Sequence, residues 1–164
     1  MVEDTLILVI HRYQTQHVRT ALDFLFINIG SLVHHPDDPL HTPAGFGMAE
    51  WYGHILLNEV NKGSFSLEKL VEITSVNGAK IFGFYPRKGS NLPGTDADFT
   101  ICDMNKEWTI DSDKIYMKTH LNAYHGRKLK GKVTHTIVRG NVIMENGDVI
   151  GKPGFGQFIL PDQK

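Results

Sequence analysis

The spacing of apolar residues changes character near Pro86, and that change limits the fold more than any other feature of the chain. Before Pro86 apolar residues recur mostly at helical steps of three and four; after it, short β-type runs alternate with glycine-bearing turns. The pattern predicts an α+β chain, helices first and strands second. There is no internal repeat and no low-complexity tract. A length of 164 residues is enough for one ordinary domain with its own core, so no disulfide or metal staple is needed for size.

Charge and composition narrow the function classes. Lys and Arg number 17 against 18 Asp and Glu, a net charge of −1. That balance excludes a phosphate-tracking nucleic-acid binder, which needs clustered cations. The longest apolar stretches, residues 6–10 and 22–29, are shorter than the ~20 residues a bilayer crossing requires. The single cysteine cannot form an internal disulfide, and the chain begins Met-Val-Glu-Asp, acidic where a secretory signal is basic. A soluble cytoplasmic protein is the expectation.

Along the chain, residues 5–10 read as a short strand, 18–25 as a helix and 26–29 as a buried strand. Three prolines and two glycines make 34–47 a loop. A helix is predicted over 49–60, where Trp51, Tyr52, Ile55, Leu56 and Val60 share a face. Gly63 breaks it, and Ser66 caps a second helix that buries Leu67, Leu70, Val71 and Ile73. A third helix, 76–82, ends at Gly83. Strands follow at 98–102, 132–138 and 142–144, with Arg139-Gly140-Asn141 a turn and Asn146-Gly147 a hairpin signal of type I′. Residues 151–158 read as a glycine-rich arm.

The run from Ser66 to Asp98 carries a recognisable order: Ser66-Leu67-Glu68-Lys69-Leu70-Val71-Glu72, Thr74-Ser75-Val76-Asn77-Gly78-Ala79-Lys80-Ile81-Phe82-Gly83, Tyr85-Pro86-Arg87-Lys88-Gly89 and Gly94-Thr95-Asp96-Ala97-Asp98. Asn105-Lys106-Glu107-Trp108, Tyr124-His125-Gly126, Lys130-Gly131-Lys132-Val133 and Val138-Arg139-Gly140-Asn141-Val142 extend it. Together they resemble the C-terminal part of the cyclic amidohydrolases: hydantoinases, dihydropyrimidinases, dihydroorotases and allantoinases. The likeness covers roughly residues 43–158, and Gly151-Lys152-Pro153-Gly154-Phe155-Gly156-Gln157-Phe158 is similar to the hydantoinase and dihydropyrimidinase tail.

For the complete enzymes the resemblance implies a metal-dependent (β/α)8 barrel with an appended β-sandwich. It also implies a two-metal zinc site built from a His-x-His pair, a carboxylated lysine, two further histidines and a late aspartate that serves as base. This chain has nine histidines and no His-x-His pair. At the late aspartate motif it reads Ile29-Gly30-Ser31-Leu32-Val33-His34-His35-Pro36, with Leu32 where the aspartate belongs. Pro43, Ala44 and Gly45, followed by Phe46, resemble the loop that holds the substrate's imide or carboxylate edge, although Gly47-Met48-Ala49-Glu50 departs from the usual ending.

No catalytic residue is therefore assigned, and no cofactor is expected for this chain. His34, His35, Asp37, Asp38 and His41 form the densest set of potential ligands, but their spacing fits no zinc pattern and a solvated polar loop is the plainer reading. Cys102 reads as a small buried apolar residue, Trp51 and Tyr52 as core, and His125 as part of a turn. Arg127, Lys128, Lys130 and Lys132 read as a solvated face.

The expected architecture is the helical C-terminal remnant of the barrel over residues 1–85, then part of a small β-sandwich with a C-terminal arm over 86–164. The expected function is that of a C-terminal segment of a hydantoinase- or dihydropyrimidinase-type hydrolase, incompetent alone. A non-catalytic interaction module or truncated pseudo-enzyme of that family is the alternative. Exposed sheet edges imply a second copy or a complementary chain as partner.

Overall fold

The computed structural model describes residues 5–8, 50–116 and 124–161, with 5–8 described as backbone alone. The elements expected at 18–25, 26–29 and 34–47 lie outside the described residues. The described residues are α+β: helices between residues 52 and 81, and one five-stranded sheet in the order β1-β2-β3-β4-β5. The strands are β1 (Thr5–Leu8), β2 (Phe99–Thr109), β3 (Lys128–Val138), β4 (Asn141–Glu145) and β5 (Asp148–Val149).

Helix α1 (Tyr52–Asn61) starts three residues after its expected position, since Glu50 and Trp51 lie in a turn. On the expected face Ile55 and Leu56 are buried while Tyr52 and Val60 are half-buried, and Leu57, outside that face, is fully buried. Ser66 caps α2 (Leu67–Val71) through its Oγ, which accepts the Lys69 N–H at 3.2 Å. The second and third predicted helices are one continuous run. A π-helical turn, Glu72–Val76, joins α2 to α3 (Asn77–Ile81), and the Asn77 N–H reaches back five residues to the Glu72 carbonyl. Thr74 Oγ1 donates to the Leu70 carbonyl at 2.7 Å within this turn. Such side-chain bonding to the preceding turn perturbs regular helical spacing. On the expected apolar face Leu70 is fully buried, while Leu67, Val71 and Ile73 are half-buried.

Strand β2 runs well beyond the predicted 98–102, because sheet pairing carries it through the polar segment Asn105-Lys106-Glu107. It lies antiparallel to β3: Gly140 N–H bonds the Ala97 carbonyl at one end, and Ile110 N–H bonds the Arg127 carbonyl at the other. β1 pairs antiparallel with β2 from Thr5 opposite Asp103 to Leu8 opposite Thr100. Two tight turns close the far side of the sheet. Arg139 and Gly140 (φ 45° and 76°) join β3 to β4, and Asn146 and Gly147 (φ 52° and 105°) join β4 to β5, the paired positive φ values that a type I′ turn demands. Residues 150–161 carry no regular structure, in keeping with an arm.

The described residues of 1–13, 53–108 and 129–164 form one unit, which holds helices and strands together; 50–52, 109–116 and 124–128 belong to a second. Within the larger unit α1 lies on the sheet so closely that a Cβ on Gly131 would stand 3.0 Å from the Leu57 Cβ.

Candidate functional site

Among the described residues of the larger unit, the most buried ionic group is Lys88. Its side chain is 8% exposed, and its Nζ pairs with Asp96 Oδ2 at 2.8 Å and with Asp98 Oδ2. Arg87 Nε adds a bond to Asp96 Oδ2 at 3.1 Å, and Asp98 Oδ1 accepts the Arg139 backbone N–H at 2.7 Å. Two carboxylates thus converge, but on an ammonium. Burial raises the Asp96 carboxyl, Lys88 and Arg87 outweigh it, and the group rests below its ordinary range. The cluster ties the turn before β2 to the β3–β4 turn, and its charge is internally neutralised; it is built to hold loops.

A second polar group joins helix to sheet. Asn58, buried on α1, accepts the Lys130 N–H through Oδ1 at 2.9 Å. One turn on, Asn61 Nδ2 donates to the carbonyls of Met104 (2.9 Å) and Lys130 (3.0 Å). Trp108 Nε1 donates to the Gly131 carbonyl at 3.1 Å, with the Lys132 ammonium 5.1 Å from its ring centroid and His54 edge-on at 4.9 Å. Burial, with Lys106 nearby, draws the Lys132 ammonium below its ordinary range. Of the basic run, Arg127, Lys128 and Lys130 are exposed as expected, and Lys132 is half-buried against the Trp108 ring.

In the smaller unit Ile110, Ser112, Tyr124 and Trp51 are buried. His125 Nδ1 accepts the Ser112 N–H at 3.1 Å and lies 3.0 Å from Ser112 Oγ, which places the neutral ring's proton on Nε2. His125 therefore organises a turn. Cys102, inside β2, is fully buried, and burial pushes its thiol up to about 12, so it is no nucleophile.

The sequence-derived candidates His34, His35, Asp37, Asp38 and His41, and the loop residues Pro43, Ala44 and Gly45, lie outside the described residues. Among the described residues, no three His, Cys, Asp or Glu side chains gather where they could hold a metal ion. What sequence reasoning missed is the convergence of Lys88, Asp96 and Asp98, and of Asn58 and Asn61 with β2 and β3; isolated polar residues give no signal of such meetings.

Residues 49–143 match the model of the amidohydrolase family. The chain belongs to the amidohydrolase family. A dihydroorotase of Pyrococcus furiosus is 45% identical over 120 residues, covering 73% of this chain and 28% of that protein. An L-hydantoinase of Paenarthrobacter aurescens is 40% identical over 105 residues, covering 64% of this chain and 23% of that protein. Among solved structures, a D-hydantoinase superposes with a TM-score of 0.69 at 32% identity, over 72% of this chain and 26% of its own. The dihydropyrimidinase from Brevibacillus agri gives 0.68 at 33% identity, with the same coverage. This amidohydrolase-family chain spans about a quarter of the length of the relatives it matches. Members of the family are typically metal-dependent.

Proposed function

We propose that this chain is the C-terminal segment of a hydrolase acting on C–N bonds of cyclic amides, of the hydantoinase and dihydropyrimidinase type, and that these 164 residues alone do not catalyse the reaction. The observation that carries the reading is the TM-score of 0.69 at 32% identity to a D-hydantoinase over 72% of this chain, set against a sequence with no His-x-His pair and with Leu32 where the late aspartate belongs. Hydrolysis of a cyclic amide by metal-activated water needs several ligands converging within ~2 Å of the ion. Zinc belongs, on this reading, to the complete enzyme. The helices of residues 52–81 are the remnant of its barrel, and the sheet is part of its β-sandwich.

No helix among the described residues is long and apolar enough to cross a membrane, and the cytoplasm is the proposed location. A second copy of the chain is the proposed partner, with a complementary chain as the other candidate. Val142, Val149, Ile150, Phe158 and Leu160, all exposed, support this.

Leu32 also favours a second reading, a non-catalytic module or truncated pseudo-enzyme derived from the family. The coding sequence upstream separates the two: a neighbouring frame encoding His-x-His and the lysine strand supports a split enzyme, and unrelated neighbours support the module. The test of incompetence is metal analysis of the purified chain with hydrolysis assays on dihydrouracil, hydantoin, dihydroorotate and allantoin. Neither bound metal nor turnover is expected; stoichiometric zinc with turnover overturns the proposal.

A further inference from the structure

We propose that strand β1 is exchanged between two copies of this chain, each copy's Thr5–Leu8 pairing with β2 of the other. The inference rests on the self-association proposed above and names its means.

Among the described residues β1 is the outermost strand on its side of the sheet, and its four residues pair with Thr100–Asp103 of the eleven-residue β2. Leu6 stands opposite Cys102 and Ile7 opposite Ile101. No hairpin holds that register, because residues 9–99 separate the two paired segments in sequence. A short edge strand without a local turn is among the cheapest elements of a fold to release.

The same strand from a second copy makes the same ladder, so exchange forfeits no β1–β2 hydrogen bond. The chain's own strand is favoured over a neighbour's only by its effective concentration at the β2 edge. Once two copies are joined, the exposed Ile81, Val149, Ile150, Phe158 and Leu160 of the same compact unit can be buried without a second loss of translational freedom. A second copy is the occupant favoured over a foreign peptide, because the segment that fits this edge in register is the chain's own.

The Leu6–Cys102 pair supplies the test. Directly opposed residues of antiparallel strands have Cα atoms ~4.5–5.5 Å apart, within disulfide range. The Leu6→Cys/Cys102→Ser variant is co-expressed with wild type under reducing conditions, purified, mildly oxidised and run without reductant, beside light-scattering masses. Neither chain alone can form a 6–102 bridge, so a covalent pair of variant and wild type, mapped to residues 6 and 102, is the expected result. The Leu6→Cys single variant reads the alternative. If wild type is dimeric but that variant closes only an intrachain bridge, self-association stands and exchange is overturned. A monomeric wild type overturns both, and absence of any 6–102 bridge overturns exchange. Deleting residues 1–8 gives a second reading, with the mass expected to halve; a retained dimer overturns the proposal.

Discussion

Gly89 and Ala79 are packed so closely that a Cβ placed on Gly89 would come within 2.7 Å of the Ala79 Cβ. The same Cβ would meet the Ser75 carbonyl oxygen at 3.1 Å and the Val76 Cα at 3.3 Å. The chain after Pro86 thus seats its backbone directly on the last π-helical residues and α3, at a position whose φ of +75° already disfavours any side chain.

Gly89→Ala is expected to cost about 3 kcal/mol, from overpacking added to left-handed strain. Gly94, with φ +93° and nothing within 4 Å, is the control. Gly94→Ala is expected to cost about 1 kcal/mol, from strain alone. Denaturant midpoints of the two variants check the difference; equal costs would mean that the Ala79 contact is absent.

Lys88→Met is expected to destabilise the fold by about 3 kcal/mol, because Asp96 and Asp98 would be left partly buried without their shared cation. Asp96 is held below its ordinary value of 3.8, so its stabilising contribution is complete above that pH and is lost as pH falls toward the lower folded value. Acid unfolding followed by circular dichroism should therefore show a shallower loss of stability below about pH 4 in Lys88→Met than in wild type.

Asn58→Ala removes the acceptor of the Lys130 N–H and is expected to cost about 2 kcal/mol. Hydrogen exchange at the Lys130 amide should accelerate in this variant. An unchanged exchange rate would show that the amide does not depend on the α1 contact.

Cys102 predicts an alkaline limb. Its thiol stays protonated in the folded chain up to about 12 but ionises near 9.0 when unfolded, so stability should fall as pH rises between those values. Cys102→Ala should flatten that limb when unfolding is followed from pH 8 to 11, and native wild type should resist iodoacetamide until denatured.

Local signals were legible in the amino-acid order wherever one residue's backbone preference settles the matter. Ser66 caps its helix, Leu70, Ile55 and Leu56 fall on buried faces, and Asn146-Gly147 turns the last hairpin as its composition demands. The family, too, was readable from ordered motifs between Ser66 and Val142. The π-helical turn was not: the apolar spacing reads as two helices divided at Thr74-Ser75, whereas Asn77 bonds Glu72 instead of Ile73 and keeps the run continuous. Nor was the reach of β2, since Asn105, Lys106 and Glu107 break its alternation and only pairing with β3 keeps them extended.

The sequence by itself determined the order of helices and strands, the caps and turns, the family and the lack of a His-x-His pair. These depend on neighbours a few residues apart, or on residue identity alone. Tertiary structure alone decided that Lys88 is buried between Asp96 and Asp98, that Asn58 satisfies Lys130, and that residues 5–8 lie along β2. Those meetings span up to about a hundred residues of chain, and a polar side chain acquires its partner only when burial removes water as the alternative.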